Sequence, residues 1–181
     1  MPNEWRIGWK ALIASTTGTG AGYVLFLYTA GLFIIPMQQE FGWSRSAVTI
    51  GPIVGLAGGF LKPLAGLLID RFGARAVALT GGTLLSLAYL LLAATPAVPW
   101  VFYASVAFFA LVGSLTSLVT YARTIVTWFA RNRGLALGLT MSGVSLSSAL
   151  ATPVLTEVIG RFGWRAGYVV MAAFVLLTLP V

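Results

Sequence analysis

Four ionisable side chains stand within the otherwise oily stretch GFLKPLAGLLIDRFGARAV, Gly59–Val77: Lys62, Asp70, Arg71 and Arg75. Asp70 can accept charge-assisted hydrogen bonds from arginines or backbone N–H groups. Arg71 and Arg75 can hold an anionic surface. Lys62 has no charged neighbour within seven residues on either side. A charge inside a bilayer costs at least about 2.5 kcal/mol, so it calls for a reason. Three are open: Lys62 meets an anionic ligand, snorkels to the interface, or pairs with Asp70, about 12 Å away along a helix. Arg123 is a second candidate, because a guanidinium grips a carboxylate through two parallel hydrogen bonds. It can serve a substrate, Asp70 or the membrane surface. Glu157, near the end of an apolar run, either couples a proton or closes a helix end. Tyr23 shares a helical face with Thr16, Thr19 and Gly20 and is a candidate cavity-lining residue.

Other chemistry is excluded by what the chain lacks. It has no Cys, no His and four acidic residues, so neither a disulfide framework nor a transition-metal site is expected, and no cofactor. No nucleophile with an acid–base partner is present, which argues against an enzyme. The charge of +7 would suggest nucleic acid in a soluble protein. Here 59% of residues are hydrophobic and 8% charged, against about 25% charged in soluble domains. Such a chain belongs in a lipid bilayer. Its basic residues, falling between apolar runs, read as topology signals and not as a nucleic-acid surface.

The elements that must position these residues are apolar helices, since the runs are continuous and do not alternate. Five segments are long enough to span: Ala11–Ile35, Ala47–Ile69, Ala76–Ala94, Trp100–Ala122 and Gly134–Ile159. A sixth, from Ala166 to Val181, is slightly short, so the chain reads as one half of something larger. With the N-terminus cytoplasmic, seven basic residues face inward (Arg6, Lys10, Arg71, Arg75, Arg123, Arg131, Arg133) and three outward (Arg45, Arg161, Arg165). That bias favours cytoplasmic loops at 70–75 and 123–133 and a multi-pass protein of the cell membrane. The tripeptide Phe-Gly-Trp occurs at Phe41–Trp43 and Phe162–Trp164, both in outer loops, where its rings are expected to anchor at the interface. Small residues Gly51, Gly55, Gly58, Gly59 and Gly66 share a stripe with Lys62. Hydroxyl stripes mark the fourth and fifth spans (Thr116, Ser117, Thr120; Ser142, Ser145, Ser148, Thr152). Such stripes suit close helix packing or the lining of a solvated cavity.

GLLIDRFGAR, Gly66–Arg75, resembles the signature loop of the major facilitator superfamily of secondary transporters, G-x-L-x-D-R-x-G-R-K/R. Gly66, Leu68, Asp70, Arg71, Gly73 and Arg75 match, and Ala74 stands where Arg is common. YARTIVTWFARNRGLALGLTMSG, Tyr121–Gly143, resembles a stretch of the monocarboxylate and oxalate/formate-type members. Ser147 and Ser148 stand where drug/proton antiporters carry Gly-Pro. The resemblance implies an all-α membrane fold, here the six-helix N-terminal half, with substrate bound near the midplane between this half and a C-terminal one. It implies that Gly66, Asp70, Arg71, Gly73 and Arg75 form a conformational latch. The function implied is secondary active transport of a small organic anion, a carboxylate, by alternating access with proton or anion coupling. Two alternatives stay open: export of a neutral or cationic drug-like solute by the same fold, or a six-helix membrane module that acts by assembly without transport.

Overall fold

The computed structural model describes residues 4–57 and 62–179. Most of the small-residue stripe that precedes Gly66, and the side chain of Lys62, lie outside the described residues. Among the described residues the chain is helical throughout and contains no strand. The helices are α1 (Glu4–Ala21), α2 (Tyr23–Thr29), α3 (Gly31–Phe41), α4 (Arg45–Ala57), α5 (Lys62–Phe72), α6 (Ala74–Ala93), α7 (Pro99–Gly113), α8 (Leu118–Trp128), α9 (Arg133–Phe162) and α10 (Trp164–Thr178). A single 3₁₀ turn, Ser114–Thr116, joins α7 to α8.

Among the described residues three stretches are long and apolar enough to cross a membrane: Ala74–Ala93, Pro99–Trp128 and Arg133–Phe162. The pair α1–α2, bent by 42°, makes a fourth if taken as one span. The first expected span is therefore not one smooth helix. It breaks at Gly22, whose ψ of −171° lies outside the helical range, and a second joint at Ala30 separates α2 from α3. The fourth stretch breaks at the same kind of place, where Ser117 is extended at φ −79°, ψ 164°.

The two breaks touch each other. A Cβ on Gly22 would lie 2.7 Å from the Thr116 carbonyl oxygen, and one on Gly113 would lie 2.4 Å from the Tyr23 ring. The Tyr23 N–H donates to Thr116 Oγ1 at 3.3 Å. Glycine at both positions is what lets the bent helices cross this closely. α1 continues along α8 and α9, and there Gly143 brings the backbones together, with Thr16 O only 2.5 Å from its absent Cβ. α6 packs on α10 and α7, and α4 packs on α7. The core between them is aromatic: Phe33 stacks on Tyr168 at 4.1 Å, and Phe26, Tyr89 and Phe109 meet edge-on or tilted, with Tyr89 and Phe109 fully buried.

A bonded signature loop and its counterpart

α5 ends at Phe72, where the backbone must reverse into α6. Gly73 does this at φ +83°, a conformation that suits glycine and strains other residues. Its N–H closes α5 by donating to the Ile69 carbonyl at 2.8 Å. Asp70, in the last turn of α5, accepts a hydrogen bond from Arg123 Nη1 of α8 and forms an ion pair with it. Gly66, one turn earlier, has the Arg123 guanidinium 3.9 Å from where a Cβ would stand, so the arginine lies across an unobstructed α5 surface. Arg71 packs over the Phe72 ring at 5.4 Å. Arg75 opens α6 and, with Lys10 of α1, lines a cavity of about 630 Å³ between α1, α6, α8 and α10. The signature residues thus tie α5, α6 and α8 together. Of the three partners open to Arg123, Asp70 is the one it meets in this structure.

The remaining candidates are placed as follows. Lys62 begins α5. The Tyr23 hydroxyl is buried and makes no hydrogen bond, and its ring packs on Phe109 at 5.5 Å, so it faces the core and not an open cavity. Glu157 pairs with Arg161 one turn later on exposed helix surface, the arrangement of a closed helix end.

Three features were not found from sequence. The first is a copy of the signature turn. Ile-x-Arg-Phe-Gly-x-Arg-Ala occurs at Ile69–Ala76 and again at Ile159–Ala166. Gly163 repeats Gly73 at φ +83°, and its N–H closes α9 on Ile159 O at 3.0 Å. The octapeptide repeat was the available signal. The second is Glu40, at the end of α3. It accepts from Trp164 Nε1 at 2.6 Å and forms an ion pair with Arg165. Arg165 and Trp164 hold the Glu40 carboxyl below its usual range. Trp164 is 2% exposed, which corrects the expectation of an interface anchor: its indole is a buried hydrogen-bond donor. The third is Glu4, whose carboxylate accepts from the backbone N–H of Arg131 at 3.0 Å and of Asn132 at 3.2 Å. Those amides head α9, and they lower the Glu4 pKa. Trp5 and Gly8 close over Phe129, itself fully buried, so the start of α1 clasps the α8–α9 loop.

The sequence pattern of the Major Facilitator Superfamily matches residues 11–181. The chain belongs to this superfamily. The architecture is accordingly an all-α half of the major facilitator fold, and relatives of this superfamily are transporters, not enzymes. Monocarboxylate transporter 11 of Homo sapiens is 30% identical over 99% of this chain and 38% of the relative. Monocarboxylate transporter 2 of Homo sapiens is 26% identical, covering 97% of the chain and 36% of the relative. An uncharacterized MFS-type transporter, YcxA, of Bacillus subtilis (strain 168) is 29% identical, covering 94% and 43%. The chain spans about two fifths of the length of these curated relatives. Asp70 and Gly73 lie in the stretch that resembles the signature loop, Arg123 meets it from α8, and the Tyr121–Gly143 stretch is the part clasped by Glu4 and Trp5.

Proposed function

We propose that the chain is one half of a secondary active transporter that moves a small organic anion, a carboxylate, by alternating access. In this reading six spans cross the cell membrane with the N-terminus cytoplasmic, and a second six-helix half completes the substrate site. Superfamily membership and the monocarboxylate transporters among its relatives support transport of this class. The deepest charge in the sequence, Lys62, is a cation, which suits an anion and disfavours a cationic drug.

The observation that carries the reading is the Asp70–Arg123 pair. An exposed ion pair is worth about 0–1 kcal/mol, too little to explain it as a stabiliser alone. Its weakness suits a latch that opens and closes in each transport cycle. Arg123 then contacts substrate only in the state where Asp70 has released it. Gly66, Gly73, Arg71 and Arg75 shape the loop, and Lys62 is the cation nearest the midplane. Tyr23 serves packing, and Glu157 takes part in coupling only if its bond to Arg161 breaks. Coupling runs through a proton or a counter-moving anion.

The test is Asp70→Asn in the protein that carries both halves. Asn keeps the shape and loses the charge. We expect carboxylate uptake to fall roughly two- to fivefold, the scale of an exposed charged pair, with membrane insertion unchanged. Wild-type turnover in the mutant removes the latch role.

A further inference from the structure

The hydroxyls around the break in the fourth span are nearly all in use. Ser114 Oγ donates to Leu111 O at 2.7 Å, Thr116 Oγ1 to Gly113 O at 3.1 Å, and Thr120 Oγ1 to Leu115 O at 2.7 Å. Ser117 is the exception in this cluster. Its Oγ is buried and has no hydrogen-bond partner, although the residue is only 7% exposed. A buried hydroxyl left unpaired costs about 1–3 kcal/mol, so its presence calls for an absent partner.

The place of Ser117 says what kind of partner. It is the N-cap of α8, an eleven-residue helix, and it has the extended backbone of a capping serine. Yet it makes no capping bond to its own helix. The hydroxyl therefore stands beside the N–H groups of Leu118 and Val119, which come too early in the helix for an intrahelical acceptor, while the Thr120 N–H already donates to the Ser117 carbonyl at 3.0 Å. The same end of the helix carries its positive dipole. This helix end lies inside the apolar stretch Pro99–Trp128. Half-helices that begin inside a membrane are suited to holding anionic groups. α5 packs alongside both the 3₁₀ turn and α8. Asp70 in the last turn of α5 pairs with Arg123 in the middle of α8.

We infer that Ser117 and the first turn of α8 form an anion subsite at the break in the fourth span, which receives the carboxylate of the transported substrate. The inference rests on the transport reading above and adds the group that meets the charge. Ser117 Oγ donates one hydrogen bond to the carboxylate and the first-turn N–H groups supply others. Because Ser117 has no partner without a ligand, removing its hydroxyl takes no bond from the unliganded fold.

The experiment uses the protein with both halves, reconstituted, with radiolabelled lactate as probe. Wild type, Ser117→Ala and Ser117→Thr are compared for lactate affinity, for maximal exchange rate and for thermal unfolding without ligand. Ser117→Ala is expected to unfold at the wild-type temperature and to bind lactate about 10- to 100-fold more weakly. Ser117→Thr, which keeps the hydroxyl, is expected to restore much of that affinity. Lactate affinity unchanged in Ser117→Ala overturns the subsite while leaving the transporter reading intact. Equal loss of affinity and of unliganded stability in Ser117→Ala also overturns it, since the hydroxyl would then be structural. A wild type that takes up neither lactate nor any other labelled carboxylate overturns the transport reading, and the subsite with it.

Discussion

The turns at Ile69–Ala76 and Ile159–Ala166 share six of eight residues and the same glycine conformation, yet they are fastened with opposite polarity. In the first, the turn supplies the acid: Asp70 reaches out to Arg123 of α8. In the second, Gly160 replaces the Asp, and the turn supplies the base: Arg165 receives Glu40 from the end of α3. Both pairs are exposed, but the first joins one acid to one base, whereas Glu40 also holds the buried Trp164 indole. One backbone design thus serves two uses. A lone exposed pair suits a contact that must part, and an acid shared between an indole and a guanidinium suits one that stays closed.

If the two turns are a related pair on opposite faces of the membrane, single cysteines at 71 and 161 should label from opposite sides. The chain contains no native Cys to confuse the result. This effect is all-or-none: position 71 should be reached from the cytoplasm and position 161 from outside. Labelling of both from one side breaks the comparison and the six-span topology with it.

Next in size is the glycine requirement. Gly73→Ala and Gly163→Ala each place a Cβ at φ +83° with an extended ψ, a region kept almost wholly to glycine, where an L-residue pays about 1–3 kcal/mol. No neighbouring atom lies within 4 Å of either added Cβ, so the strain is conformational only. The two mutants should lose similar thermal stability in detergent. A loss confined to one of them would show that the shared geometry does not carry a shared cost.

The smallest expected effect separates the two fastenings by pH. The Glu40 carboxyl is depressed by Arg165 and Trp164, so its contribution is present above the unfolded carboxyl pKa, about 4.3, and fades as pH falls through the lower folded value. Between about pH 5 and pH 3, Glu40→Gln should flatten the acid loss of stability by a few tenths of a kcal/mol, as befits a partly exposed pair. Acid profiles that superimpose for wild type and Glu40→Gln would remove Glu40 as the holding contact.

The sequence revealed the class of fold because long apolar runs leave few alternatives to helices. It revealed the signature loop because its spacing is local. It left Arg123 with three possible partners, since no local pattern says which of three acceptors lies within reach across 53 residues. The broken first and fourth spans were not legible: Gly22 sits among other small residues that helices tolerate, and nothing local announces that Ser117 adopts an extended backbone. The indole of Trp164 was assigned to the interface on residue type, whereas packing against Phe41 and Tyr168 decided its burial. Glu4 gave no signal, because its donors are backbone amides, which are the same for every residue.

The Glu4 clasp has a consequence for biosynthesis. Its carboxylate is made early, and the Arg131 amide that it binds lies 127 residues further along the chain. At about 5–20 residues per second, roughly 6–25 s pass before that amide exists. Through that interval α1 lacks its terminal fastening and its packing against α9, and Phe129 has yet to fill the space over Gly8. α1 is therefore synthesised well before it is secured, and a ribosome that stalls before residue 131 leaves its start unfastened.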